Sequence, residues 1–175
     1  KAISDLIRPR GMKLHMDGAR FANAVAGLGV SPAEVTWKSG VDVMSFGATK
    51  NGAMGAEALV VSDPALVGEM LLLRKQSMQL APKMRYLAAQ FLALGENGLW
   101  LENARHANAM AQRLAAGVRT IAGVEITQPV QASAVFAILP RAVSERLQQT
   151  FHFYFWNHSP HEVRWMTSWA TSETD

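Results

Sequence analysis

Two short apolar runs in this chain each end on a charged residue set among small ones: Leu14-His15-Met16-Asp17-Gly18-Ala19-Arg20 and Ser45-Phe46-Gly47-Ala48-Thr49-Lys50-Asn51-Gly52. The stretch 14–16 reads as a buried strand, and 41–46 has the β-branched and apolar content of another. A helical pattern follows the first over 20–27, with Phe21, Ala24, Val25 and Leu28 on one face. Strands alternating with helices imply an α/β sheet whose strand ends face one side, where such folds collect ligands. Asp17 and Lys50 both fall at such ends.

The rest of the chain extends that pattern and then changes it. A helix is expected over 2–8, and Ser31-Pro32 looks like an N-cap with proline in the first turn of a short helix. Asn51-Gly52 punctuates, 56–62 reads as the neighbouring strand, and Asp63-Pro64 starts a helix that runs through Leu71-Leu72-Leu73. Residues 83–122 are helical, carried by Leu87, Phe91, Leu94, Leu101, Ala104, Ala111, Leu114 and Val118 and broken at 95–98. From Gly123 the composition shifts: strands are expected at 124–126, 134–138, 151–156 and 163–168, with a helix over 143–150. The expected division is therefore 1–122, part of a large domain with long connecting helices, and 123–175, an incomplete α+β domain. The Trp and Met residues read as mostly core.

A carboxylate, a nearby arginine and a lysine in small surroundings are the protein parts that a pyridoxal 5'-phosphate (PLP) site needs. PLP is held as an imine on a lysine amine and works as an electron sink only while its pyridine nitrogen stays protonated, which a carboxylate such as Asp17 would secure. Lys50 must lose its own proton to attack a carbonyl, and a partly desolvated site near positive charge favours the neutral amine.

His15-Met16-Asp17-Gly18-Ala19-Arg20 and Val43-Met44-Ser45-Phe46-Gly47-Ala48-Thr49-Lys50-Asn51-Gly52, in this order and spacing, resemble the low-specificity L-threonine aldolases, PLP enzymes of the aspartate-aminotransferase fold type (fold type I). The likeness continues through Arg74-Lys75, Lys83-Met84-Arg85-Tyr86-Leu87-Ala88-Ala89-Gln90 and Val163-Arg164-Trp165-Met166-Thr167-Ser168-Trp169, nearly the whole chain. The resemblance implies the C-terminal part of a large domain with a mainly parallel sheet and flanking helices, plus a small α+β domain.

It also implies roles. Asp17 matches the pyridinium partner and Lys50 the Schiff-base lysine. Arg20 matches an arginine near the PLP 3-oxygen and the substrate carboxylate. Its place in a helix's first turn, unfavourable for a cation, itself asks for an anionic partner. Arg164 matches the arginine that clamps the substrate α-carboxylate, a task for a planar fork. Thr49 stands where the family carries a hydroxyl that reaches the cofactor phosphate, and Ser45 could do so instead. Lys75 and Arg85 are looser matches. His15 reads as pointing to the sheet face opposite Asp17, in a core or packing role. His106, His152, His158 and His161 show no paired metal-ligand spacing, so no metal is expected.

Family members are about twice as long as these 175 residues, as an enzyme of two domains requires. Both ends look cut: the chain opens on Lys1 inside a helical pattern and stops at Ser172-Glu173-Thr174-Asp175, where a helix cap begins. In the family, the glycine-rich phosphate loop, the histidine that stacks on the PLP ring and a histidine proposed as base precede the equivalent of Lys1. The chain alone is expected to bind PLP poorly or fail to fold, with the N-terminal half of the enzyme as its partner.

The resemblance implies aldol cleavage of L-threonine, L-allo-threonine and related β-hydroxy-α-amino acids to glycine and an aldehyde, in a homodimer or homotetramer. Two alternatives stay open: another fold-type-I lyase reaction, β-elimination, or an inactive truncated remnant acting as an interaction domain. A net charge of +3 with scattered Lys and Arg speaks against nucleic acid as partner, and no apolar run reaches bilayer length. The absence of cysteine fits a reducing compartment, and cytoplasm is the expected location.

Overall fold

The computed structural model describes residues 1–157 and 161–175. After α1 (Ala2–Ile7), β1 (His15–Gly18) lies parallel to β2 (Val43–Gly47), with Asp17 level with Ser45. Between them run α2 (Phe21–Leu28) and the short α3 (Pro32–Val35), a crossover of the kind parallel strands require. β3 (Glu57–Val61) pairs antiparallel on the other side of β2, giving a three-stranded sheet in the order β1-β2-β3.

Local chemistry sets these boundaries. Ser31 caps α3, its backbone N–H and its hydroxyl both donating to Glu34 at 2.8 Å, as the Ser-Pro signal predicts. Asp63 accepts from the Ala65 N–H at 3.0 Å and starts a helical turn that leads into α4 (Val67–Gln76). Buried Asp42, just before β2, accepts from the Leu14 N–H at 2.7 Å and from the Arg8 guanidinium at 2.8 Å, tying the entry of β1 to that of β2.

The expected long helical segment is two helices, α5 (Arg85–Gly95) and α6 (Leu99–Val118), joined by a turn in which Asn97 takes a left-handed φ of 53°. α6 buries a stripe of alanines, Ala104, Ala107, Ala111 and Ala115, a face rotated from the one the larger apolar residues suggest; Leu114 and Val118 are only half-buried at its flank. Small side chains let α2 come close, and there Asn23 and Asn108 pair: each side-chain amide donates to the other residue, at 3.1 and 3.0 Å. Phe21, Phe46, Phe91 and Trp100 then form an aromatic nest between the first sheet and α5–α6, with Phe21 stacked on Trp100 at 6.4 Å and Phe46 edge-on to both.

Beyond α6 comes a second, antiparallel sheet. β4 (Glu125–Ile126), β5 (Ala134–Ile138), β6 (Tyr154–Asn157) and β7 (Glu162–Met166) are ordered β4-β5-β7-β6, with α7 (Arg141–Leu147) between β5 and β6. Ala111, Ala115, Val130 and Val135 pack together, with Trp165 beside them, fastening this sheet to α6. The expected helix and strand around 150 both shift: α7 starts at Arg141, directly after Pro140, and β6 starts at Tyr154. The core reading of Trp and Met fails for many of them, since Trp37, Trp156, Trp169, Met12, Met54 and Met78 are exposed. Among the described residues, no helix is long and apolar enough to cross a membrane.

Candidate active site

β1 delivers Asp17 to the edge of the sheet, where the chain turns sharply. The Ala19 N–H donates back to Asp17 Oδ1 at 3.0 Å, an Asx turn that leads to Arg20 at the N-cap of α2. The other carboxylate oxygen makes no hydrogen bond among the described residues and is free to accept one.

Lys50 sits in a single 3-10 turn, Thr49–Asn51, that leaves the end of β2. Both neighbours of the lysine are held. On one side the Thr49 hydroxyl donates to Glu57 Oε1 at 2.6 Å, with the Thr49 N–H directed to the same oxygen at 3.4 Å. On the other, Asn51 is buried, donates to the Trp100 carbonyl at 2.8 Å, and accepts from Asn103 at 2.9 Å through its own carbonyl. Gly52 closes the turn at φ 110°, a conformation that excludes a side chain. Lys50 itself is exposed and makes no hydrogen bond or ion pair among the described residues. The turn is hydrogen-bonded at both flanks and leaves the amine at its centre without a partner among the described residues.

The two segments touch. A Cβ on Gly47 would stand 2.9 Å from the Ala19 Cα, 3.0 Å from Glu57 Oε2 and 3.2 Å from the Ala19 carbonyl, so only glycine lets the end of β2 lie against the Asp17–Arg20 turn.

Arg164 comes from the second sheet. On β7 it is level with Phe136 of β5 and Tyr154 of β6, and its guanidinium lies 4.6 Å above the Trp156 ring. Its Nε is buried and has no hydrogen-bond partner among the described residues, a costly state for a donor that an anionic ligand would relieve. Arg20 and Arg164 feel each other: desolvation first, and the Arg164 charge second, lower the Arg20 pKa, while Asp17 pulls it back up. Two guanidiniums and one carboxylate within electrostatic reach of one another suit an anionic small molecule.

The other expected residues divide between this sheet and more distant elements. Ser45 is bonded to His15 Nε2 at 2.7 Å. His15 therefore does not point away from Asp17: residues two apart on a strand share a face, and His15 is exposed on the same face. Lys75 stands exposed in the last turn of α4, and Arg85 stacks on its neighbour Tyr86 at 4.8 Å. His106 bonds the Thr171 carbonyl at 2.7 Å and His152 packs edge-on to Tyr154, whereas His158 lies outside the described residues. Glu57, Trp156 and Asn103 carry contacts in the site that the sequence reading did not single out.

The chain is similar to known proteins over nearly its whole length. The family model for beta-eliminating lyases matches residues 1–141. The chain is 45% identical over 174 residues to the low specificity L-threonine aldolase of a Pseudomonas species, covering 99% of this chain and 50% of the relative. It is 43% identical over 171 residues to the enzyme of the same name from Pseudomonas aeruginosa, covering 98% and 49%. Among solved structures, the threonine aldolase of Leishmania major superposes with a TM-score of 0.87 at 32% identity, over 98% of this chain and 51% of that one. The chain thus spans about half the length of the curated relatives it matches, and its fold is the fold type I α/β arrangement that the sequence implied.

Proposed function

The chain belongs to the beta-eliminating lyase family, and on that premise we propose that it forms part of a PLP-dependent aldehyde-lyase cleaving L-threonine, L-allo-threonine and related β-hydroxy-α-amino acids to glycine and an aldehyde. The observation that carries this reading is the turn clamped on both sides of an unpartnered Lys50, leaving a strand whose last residue, Gly47, lies against the turn that bears Asp17 and Arg20. The similarity to the Pseudomonas low specificity L-threonine aldolases supports the choice of substrate.

The residues present suit PLP. Its aldehyde asks for a free amine, its ring nitrogen for a carboxylate oxygen with spare acceptor capacity, and an amino-acid substrate for an unsatisfied guanidinium; Lys50, Asp17 and Arg164 offer these. When bound, PLP supplies an electron sink for breaking a bond at the substrate Cα. Asp17 keeps a proton on the ring nitrogen. Arg164 grips the α-carboxylate with a planar fork stiffened by Trp156, and Arg20 adds a second positive charge. Fixing the carboxylate decides which bond at Cα is presented for cleavage, which is how positioning groups select among reactions of one cofactor. The Thr49 hydroxyl gives its one proton to Glu57, so in this reading it steadies the turn and the cofactor phosphate takes its donors from elsewhere.

In this reading the activity belongs to an assembly with the remaining half of the enzyme, as a homodimer or homotetramer in the cytoplasm, with 1–122 and 123–175 as parts of its two domains. The test is an assay of the chain combined with the complementary half of the Pseudomonas relative. Acetaldehyde and glycine from L-threonine are expected, and Lys50→Ala should abolish them. Pyruvate and ammonia from a tyrosine- or cysteine-derived substrate instead would turn the assignment to β-elimination, the reaction the family is named for. Near-normal threonine cleavage by Lys50→Ala would end the PLP reading.

A further inference from the structure

We propose that Glu57 is the positioning residue of the Lys50 turn: reaching over Gly47 from β3, its carboxylate fixes Thr49 and thereby aims the Lys50 amine. The inference rests on the reading of Lys50 as the cofactor-bearing lysine and adds a residue to it.

Glu57 opens β3 directly opposite Gly47, the last residue of β2. A side chain at position 47 would collide with its carboxylate, so the glycine leaves the space through which Glu57 crosses from one strand to the turn beyond the next. There Oε1 receives the Thr49 hydroxyl at 2.6 Å and faces the Thr49 N–H at 3.4 Å. The turn has no side-chain cap of its own, since the residue before it is Ala48. Glu57 therefore does from the neighbouring strand what an N-cap residue does locally. Oε2 and the Ala19 Cα both lie close to the point where a Gly47 Cβ would stand, at 3.0 and 2.9 Å, so Glu57, Gly47 and the Asp17–Arg20 turn meet there.

Asn51 is anchored to α6 whatever happens at residue 57. Loss of Glu57 would thus release only the N-terminal flank of the turn and let Lys50 swing about a fixed Asn51. Arg164 and Asp17 would be untouched, so binding of the substrate carboxylate would persist while the amine is mis-aimed.

The experiment uses the chain in complex with the complementary half, loaded with PLP, and compares Glu57→Ala, Glu57→Gln, Thr49→Val and the Glu57→Ala/Thr49→Val pair. Glu57→Ala should lower kcat with L-threonine about 10–100-fold, the order of loss that a misplacement near 1 Å brings, with KM within about twofold. Glu57→Gln, which still accepts a hydrogen bond, should recover most of the loss. The double variant should be no worse than either single one, because both cut the same link. Independently of turnover, borohydride reduction and peptide mapping should show less PLP fixed on Lys50 in Glu57→Ala than in the parent. Normal kcat and normal trapping in Glu57→Ala, additive losses, or no recovery with Gln would each overturn the proposal. Thermal melting separates misplacement from unfolding. A Lys50→Ala variant that still turns over threonine would instead sink the underlying assignment.

Discussion

Gly47→Ala tests whether close packing of two backbone segments builds this site. Its added Cβ would lie 2.9 Å from the Ala19 Cα and 3.0 Å from Glu57 Oε2. Carbon atoms rest comfortably at about 3.5 Å, so the Ala19 backbone must retreat by roughly 0.6 Å, and it has no flexible side-chain end that could yield instead. Gly47 does not have a positive φ, so the effect is steric crowding and not backbone strain. Overpacking of this kind costs about 1–3 kcal/mol. For a chain of this length that lowers Tm by about 3–10 °C. The same displacement moves the Asp17–Arg20 turn away from Lys50 and pushes the Glu57 carboxylate off Thr49, so kcat of the complemented enzyme should fall by about tenfold or more. Gly55→Ala is the control, because nothing lies within 4 Å of its added Cβ and its φ is ordinary; it should change stability by less than about 0.5 kcal/mol. Differential scanning calorimetry and threonine kinetics on the two variants decide the matter. A Gly47→Ala protein that melts within about 1 °C of the parent and retains full kcat would refute the packing argument.

Two further outcomes are expected. Arg164→Lys keeps a charge but loses the fork and most of the stacking on Trp156, so KM for L-threonine should rise about 10–100-fold in steady-state kinetics, the cost of a lost charged hydrogen bond; an unchanged KM would remove Arg164 from substrate binding. Asp63 bonds Lys13 at 2.5 Å, and that bond, with the one from the Ala65 N–H, holds its pKa below the ordinary carboxylate value. Its contribution to stability is present above the unfolded value, about 3.9, and disappears as pH falls through the lower native value. Asp63→Asn should therefore melt below the parent at neutral pH, and the gap should close in strong acid; a gap independent of pH would contradict the ion pair.

The strands, the helix break at 95–98 and the pairing of the two strands that end near Asp17 and Lys50 were legible because each is written locally, in β-branched runs, in Gly-Glu-Asn-Gly, and in short polar segments at strand ends. What was not legible depends on pairing register. Glu57 reads only as the charged start of a strand until β3 is seen antiparallel to β2, which sets it opposite Gly47. Trp156 meets Arg164 only because β6 folds back beside β7. His15, expected on the opposite face, lies on the Asp17 face, as its bond to Ser45 and the two-residue strand repeat require. On α6 the sequence pattern marks Ala104 and Ala111 of the buried face, but it favours Leu114 and Val118 over Ala107 and Ala115, whereas the close approach of α2 rewards small volume over large area. Leu71, Leu72 and Leu73 form the expected helix but remain exposed in this chain, a fact helical periodicity does not determine.

α6 has a mechanical consequence. Near its start it grips the residue after Lys50, through the Trp100 carbonyl and the Asn103 amide, and two to three turns later Ala111 and Ala115 seat the strand pair that carries Arg164. One rod thus gauges the span between amine and guanidinium. Adding a single residue to that rod between these two anchor points would twist one end against the other by about 100° and move it about 1.5 Å along the axis. Both functional groups could keep their own neighbours and still no longer address the same small molecule, so this stretch of helix should tolerate substitution far better than any change in its length.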